Sequence, residues 1–301
     1  MTTGVVLMAY GTPLRPEQIE AYYTDVRRGR PPTPEQLADL TRRYDAIGGT
    51  SPLAARTEAQ RGALQAALDG MAPGGFVVEL GLKHAAPKVE AGVAALVAAG
   101  VERIVGLVLA PHWSSLSIGE YLGRAATAAG AAGVAFTGIE SWAVEPAYVR
   151  FLARAVQTEL ADMPDATRVV FSAHSLPERI LATGDPYPTE LESTALAVAD
   201  AADLAPNRWM VGWQSAGRTP EPWIGPDILT VVDDLAASGD VQGILVCPCG
   251  FVADHLEVLY DLDIEARGRA AERGLELRRT RSMNADPDVI GALAARVVGI
   301  R

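Results

Sequence analysis

The sequence predicts an α/β protein of two domains, each a parallel sheet with crossover helices, and three observations predict it. Seven short apolar runs end in Gly, Pro or polar clusters, and Ala- and Leu-rich stretches of helical character separate them. A chain of 301 residues, 49% of them hydrophobic, has the length for two cores rather than one. The strand-like segments also recur in kind. Val5-Val-Leu-Met-Ala-Tyr10-Gly-Thr-Pro13 echoes Val169-Val-Phe-Ser-Ala-His174-Ser-Leu-Pro177: apolar strand, ring-bearing side chain, two residues, proline. Leu107-Val-Leu-Ala-Pro111-His-Trp113 pairs more loosely with Leu245-Val-Cys-Pro248-Cys-Gly-Phe251.

In order, the strand runs are 5–8, 76–80, 104–109 and 134–137 in the first half, then 169–172, 209–212 and 244–247 in the second. Strand-like sequence gives way near Glu145-Pro146 to a helix, so the expected units are 1–145 and 146–301. A final helix over 287–298 is apolar at Val289, Ile290, Leu293, Val297 and Val298, and is expected to pack back on the first unit.

Several function classes are excluded by composition. A net charge of −11 argues against general nucleic-acid binding, which needs a basic footprint to displace counterions. The amino terminus lacks the basic start of a signal peptide, and no apolar run approaches a membrane span, so a soluble, cytoplasmic protein is expected. The two cysteines, Cys247 and Cys249, are too few for an all-cysteine zinc or iron–sulfur site within one chain. They read as buried, reduced thiols at a strand end.

The first candidate for chemistry is His174, one of four histidines, at the end of the run Arg168-Val-Val-Phe-Ser-Ala173. Open α/β sheets place their ligands at such strand mouths. Ser175 is predicted to cap a following helix, with Glu178 closing a capping box and Pro177 in the first turn. An imidazole here serves either as a proton acceptor near neutrality or as a structural group bonded to nearby backbone. If the echo between the halves reflects architecture, Tyr10 and His174 face a shared cleft.

The second candidate is Gly250-Phe-Val-Ala-Asp254-His-Leu-Glu257-Val-Leu-Tyr-Asp261-Leu-Asp-Ile-Glu265. On an α-helix, Glu257, Asp261 and Glu265 fall at i, i+4 and i+8 and form one acidic ridge. Asp254 and Glu257 also suit a helix start as a capping pair. Capping does not explain three stacked carboxylates, because like charges at that spacing repel. The ridge reads as a cation path or proton relay, with His255 one position off it and structural.

The third is an arginine cluster, Arg27, Arg28, Arg30, Arg42 and Arg43, interleaved with Tyr, Gly and Pro. It reads as a mobile lid able to hold carboxylates, or as a surface cluster with local ion pairs. Its glycine turns lack the spacing of a phosphate loop. Aromatic residues make up 6% of the chain, but Tyr10, Trp113, Tyr121, Trp142, Trp213 and Trp223 fall near strand ends or loops. A few of them lining a cleft would suit a flat, apolar ligand.

Together these residues resemble the ferrochelatase family over essentially the whole chain. Ala173-His174-Ser-Leu-Pro177 is similar to the family's histidine motif, and the segment from Gly250 to Asp263 to its acidic motif. The resemblance implies two Rossmann-like, class II chelatase-like domains around a porphyrin cleft, and insertion of ferrous iron into a tetrapyrrole. Leu7-Met-Ala-Tyr10-Gly-Thr-Pro13 is similar to the branch acting on coproporphyrin III, where the tyrosine ligates iron in the product. That branch holds the propionates at positions matching Arg27, Arg43, Tyr44, Ser51 and Tyr121, with Arg28 and Arg30 as helpers. Some relatives carry a [2Fe–2S] cluster on four cysteines, which two cysteines do not supply. A monomer is expected, with neighbouring haem-pathway enzymes as protein partners.

Metalation replaces two pyrrole N–H protons with Fe²⁺, so a base, a proton exit and a cation route are needed. His174 is assigned as base and transient iron ligand, Glu257 as the opposing metal contact or proton acceptor, and Asp261 and Glu265 as the path outward. The alternatives are a protoporphyrin IX enzyme, a cobalt or nickel chelatase for a sirohydrochlorin-type ring, and a non-catalytic haem carrier. Sirohydrochlorin chelatases use a histidine pair, and a carrier would leave the acidic ridge idle.

Overall fold

The computed structural model describes residues 2–217 and 219–300. Its frame is two four-stranded, all-parallel sheets. The first contains β1 (Thr3–Ala9), β2 (Phe76–Leu82), β3 (Arg103–Val108) and β4 (Ala135–Ile139) in the order β2-β1-β3-β4. The second contains β5 (Thr167–His174), β6 (Trp209–Gln214), β7 (Gly243–Cys247) and β8 (Glu276–Arg279) in the order β6-β5-β7-β8. The two orders are the same, so β1 corresponds to β5 and β3 to β7, which are the pairs that echo in sequence.

Every predicted run falls on one of these strands, and β8 is the strand the pattern misses. Its four residues, Glu-Leu-Arg-Arg, include one apolar side chain, because β8 is an edge that pairs only with β7. The inner strands read as continuous apolar runs because both faces are covered. All seven residues of β1 are buried.

One core runs through both halves rather than staying within each. Val5, Leu7 and Leu107 of the first sheet join Val169, Phe171 and Leu245 of the second, through Trp142, Tyr148 and Phe151. Tyr148 and Phe151 belong to the helix Pro146–Leu160, whose Tyr148 hydroxyl donates to the Cys249 carbonyl at 2.8 Å. The last helix, Pro287–Gly299, packs against helix Leu53–Met71 and helix Pro146–Leu160. Nearby, Gln60 Nε2 donates to the Asn284 carbonyl at 2.9 Å.

Cys247 and Cys249 are buried free thiols, and burial pushes Cys247 up to about 12. Among the described residues no helix is long and apolar enough to cross a membrane.

Two local expectations are corrected. No helix starts at Ser175: a short 3₁₀ helix spans Glu178–Thr183 and has no side-chain cap. Ser175 instead laces β5 to its surroundings, its N–H donating to the Gln214 carbonyl at 2.7 Å and its Oγ to the Ile224 carbonyl at 2.6 Å. The acidic helix is also not an α-helix, since residues Glu257–Ala266 form a π-helix.

Candidate active site

His174 is the last residue of β5, and the chain turns away immediately after it. Its Nδ1 donates to the carbonyl of Ser175. That bond fixes the neutral tautomer, with the Nε2 lone pair free to face the cleft. Nε2 stands 3.6 Å from Oε1 of Glu257, an ion-pair distance rather than a hydrogen bond, and each side chain is 34% exposed. Both groups are therefore reachable from the cleft.

The loop from β7 reaches Glu257 by passing directly over β5. Gly250 makes this crossing: a Cβ there would lie 2.4 Å from that of Ala173, the residue before His174. Beneath the pair, Ser172 Oγ donates to Gln214 Oε1 at 2.9 Å, and Gln214 Nε2 donates to the Glu257 carbonyl at 3.3 Å.

The second histidine of this segment is part of the constellation. His255 Nδ1 donates to the Ala253 carbonyl at 2.9 Å, which aims Nε2 at Oε2 of Glu257, 3.5 Å away. Burial is the largest influence on Glu257 and acts to raise its pKa, but the charges of His174 and His255 win and hold it well below the usual carboxylate range. For His174, burial pulls downward, and the charge of Glu257, the bond to Ser175 and the charge of Asp261 more than reverse it, so its pKa is raised. Each group thus favours the charged form of the other.

The acidic series leads away from this pair. Glu257 is half-buried, Asp261 is buried and Glu265 is exposed, so the series ends at solvent. Bonds of the i→i+5 type widen each turn, so the i, i+4 residues do not sit as they would on an α-helix. Asp261 is pushed up to about 7, first by burial and then by Glu257, with Ser215 and Arg43 restraining the rise and Glu265 adding to it. Ser215 Oγ donates to Asp261 Oδ2 at 2.5 Å from a residue held at φ +60°, left-handed backbone that is uncommon for a non-glycine. A group near 7 beside one held ionised can pass protons at neutral pH.

Asp254 does not cap the helix with Glu257. It accepts from Ser282 Oγ at 2.9 Å and Asn284 Nδ2 at 3.1 Å, and pairs with Arg279 Nη1 at 3.2 Å.

Tyr10 follows β1 directly, in the position that corresponds to the end of β5, and is 43% exposed. Burial raises its phenol pKa, and the charge of Glu257 adds to the rise. Its ring lies 4.6 Å from that of His84, centroid to centroid. His84 Nδ1 is held by Asp25 Oδ2 at 2.7 Å, and Lys88 Nζ holds the other oxygen at 2.8 Å. Lys83, next in the chain, pairs with Glu120 at 2.7 Å and lies 5.2 Å from the Tyr121 ring centroid. Lys83 and His84 were absent from the sequence-derived set. The signal was a Lys-His pair directly after a strand, hidden because the predicted run stopped at Leu80.

The remaining predicted residues differ in placement. Tyr44 is buried and its hydroxyl lies 3.2 Å from Thr12 Oγ1, while burial pushes its pKa up to about 12. Tyr121 and Ser51 are buried, and Ser51 Oγ accepts from the Leu53 N–H at 3.2 Å. Arg27 turns toward its own loop, with Nε donating to the Arg30 carbonyl at 3.2 Å. Arg43 touches the acidic series itself, its Nη1 3.3 Å from Oδ1 of Asp261.

An imidazole 3.6 Å from a carboxylate, with a proton-accepting acid next along the helix and a tyrosine at the matching strand end of the other sheet, can accept protons and contact a divalent cation. The ferrochelatase family model matches residues 2–299. The chain belongs to the ferrochelatase family. It is 43% identical over 303 residues to the ferrochelatase of Herpetosiphon aurantiacus, covering 99% of this chain and 98% of that one. Identity is 44% to the coproporphyrin III ferrochelatase of Anoxybacillus flavithermus, covering 98% and 95%, and 45% to that of Geobacillus kaustophilus, covering 99% and 95%.

Solved structures agree on the fold of this ferrochelatase-family chain. SirB from Bacillus subtilis, solved with Fe³⁺, superposes with a TM-score of 0.60 at 12% identity, covering 99% of this chain and 95% of that one. CbiX, the terminal enzyme for biosynthesis of siroheme in denitrifying bacteria, gives 0.55 at 14% identity with full coverage of both, 100% and 100%. At that identity the likeness concerns the fold alone. The expected class, two parallel sheets flanked by helices in a class II chelatase-like arrangement, is the one observed.

Proposed function

We propose that the protein is a lyase that inserts ferrous iron into coproporphyrin III, releasing two protons and giving iron coproporphyrin III for haem biosynthesis. The observation that carries the reading is the opposed pair His174 and Glu257 with Asp261 behind it. The names of the relatives from Anoxybacillus and Geobacillus support the choice of porphyrin. Arg27, Arg43, Tyr44, Ser51 and Tyr121 are proposed to hold the propionates, and iron enters as substrate.

In this reading His174 Nε2 accepts the two pyrrole protons one after the other, and Asp261 and Glu265 carry each outward before the next is taken. Glu257 would contact the incoming Fe²⁺, and Tyr10 would ligate the iron of the product from the first sheet. Cleft walls that bind a bent macrocycle better than a flat one expose a pyrrole lone pair, which favours the transition state over the substrate. The proposed units are 1–145, carrying the arginine lid, and 146–301, carrying His174, in a monomeric cytoplasmic enzyme working beside other haem-pathway enzymes.

The test is anaerobic mixing of the protein with Fe²⁺ and coproporphyrin III, following turnover beyond one equivalent, with protoporphyrin IX in competition. Sustained turnover with preference for coproporphyrin III is expected. Stoichiometric binding without turnover would make the protein a carrier, and preference for protoporphyrin IX would overturn the substrate choice. A folded His174→Ala protein that binds porphyrin should insert iron about 10² to 10⁴ times more slowly.

A further inference from the structure

Helix Pro34–Ala46 reaches the π-helix with two consecutive arginines. Arg42 Nη1 donates to the Tyr260 hydroxyl at 2.6 Å, and the Arg42 and Arg43 guanidinium carbons lie 5.5 and 4.9 Å from the Tyr260 ring centroid. Arg43 then divides its donors. Nε goes to Asp39 at 3.2 Å, and only Nη1 reaches Asp261, at 3.3 Å.

An arginine binds a carboxylate best through two parallel N–H donors, and Asp261 receives one. The Arg43 side chain is 22% exposed and open to an incoming group, whereas that of Asp261 is 6% exposed. A carboxylate arriving on a ligand can therefore take Arg43 in a better geometry than Asp261 has. Asp261 would then be left with Ser215 as its donor and with Glu257 and Glu265 on either side. Such a group draws a cation.

We propose that Arg43 is an exchange switch between the two substrates: it pairs with Asp261 while the cleft is empty and turns to a carboxylate of the incoming tetrapyrrole, uncovering Asp261 for a divalent cation. The proposal rests on the porphyrin reading above and extends it to the order of events. Coupling between sites is reciprocal, so a cation on Asp261 releases Arg43 for the porphyrin to the same degree. Porphyrin and metal thus help each other to bind, and neither is held tightly alone.

The test is binding without turnover, on the full chain. Asp261→Asn leaves Arg43 without its internal partner, so metal-free coproporphyrin III, followed by fluorescence quenching, should bind about five-fold tighter than to wild type. Arg43→Gln should bind the porphyrin more weakly and, with no porphyrin present, bind Co²⁺ about five-fold tighter, read from its visible absorption. A damaged fold weakens binding, so the two gains cannot come from damage. If the Asn variant binds porphyrin no tighter, or the Gln variant binds Co²⁺ no tighter, the exchange is wrong. A wild-type protein that turns over iron and coproporphyrin III while either gain is missing would leave the proposed function standing and remove only the switch. A wild-type protein that does not bind the porphyrin would remove the function, and the Co²⁺ comparison would still decide whether Arg43 masks Asp261.

Discussion

His255 Nε2 lies 3.5 Å from Oε2 of Glu257, on the oxygen that His174 does not face. Glu257 is therefore flanked by an imidazole on each carboxylate oxygen. His174 is open to the cleft, whereas His255 is more buried and acts on the reaction only through Glu257.

That makes His255 a positioning residue with a measurable signature. Replacing it by Asn removes one of the charges holding Glu257 below the carboxylate range, so the Glu257 pKa moves up. With Glu257 less firmly placed, kcat should fall about ten-fold while metal-free porphyrin binds within about two-fold of wild type. An unchanged kcat would assign His255 to packing alone.

Tyr10→Phe tests the axial role. The ring and its tilted contact with His84 are kept, and only the hydroxyl is lost. The absorption spectrum of enzyme-bound product should change while metal-free porphyrin binds within about two-fold of wild type. Identical product spectra would remove Tyr10 from the iron.

Gly11→Ala should loosen the segment that carries Tyr10. Gly11 sits at φ +87°, and a Cβ would come 2.7 Å from the Cβ of Ala85, on the loop that bears His84. Left-handed strain and the clash together should cost about 1–3 kcal/mol, read from urea denaturation. A variant as stable as wild type would show that the loop yields freely.

Asp261 predicts an unusual dependence of stability on pH. Its folded pKa, about 7, is above the ordinary 3.8, so between those values the native state binds more protons than the unfolded chain. Stability from this group is present at low pH and is lost as pH rises through about 7. Asp261→Asn mimics the neutral acid, so its Tm should equal that of wild type near pH 4, exceed it increasingly up to about pH 7 and keep a constant lead above that. A constant difference from about pH 4 to about pH 7 would show that Asp261 ionises freely in the fold.

Strand positions were readable because inner parallel strands are apolar on both faces, as in Val5-Val-Leu-Met and Ile244-Leu-Val-Cys. What local pattern could not supply was decided by distant partners. Ser175 carries a helix-start signature, yet its hydroxyl goes to Ile224, forty-nine residues away. Carboxylates at i, i+4 and i+8 imply a ridge on an α-helix, and sequence spacing does not distinguish that helix from a π-helix. His255 was set aside by the same logic. It precedes the helix, so helical periodicity says nothing about where it points. Arg43 was read as facing a ligand, and its contact with Asp261 spans 218 residues that no motif connects.

The matching order of the two sheets places Tyr10 and His174 at equivalent ends of equivalent strands. A perfectly repeated frame would offer a bound metal the same surroundings from either side and give it no preference. Here one side presents a phenol and the other an imidazole paired with an acid. In the proposed reading that single inequality polarises the cleft: protons leave toward the second sheet, and the finished complex is retained from the first.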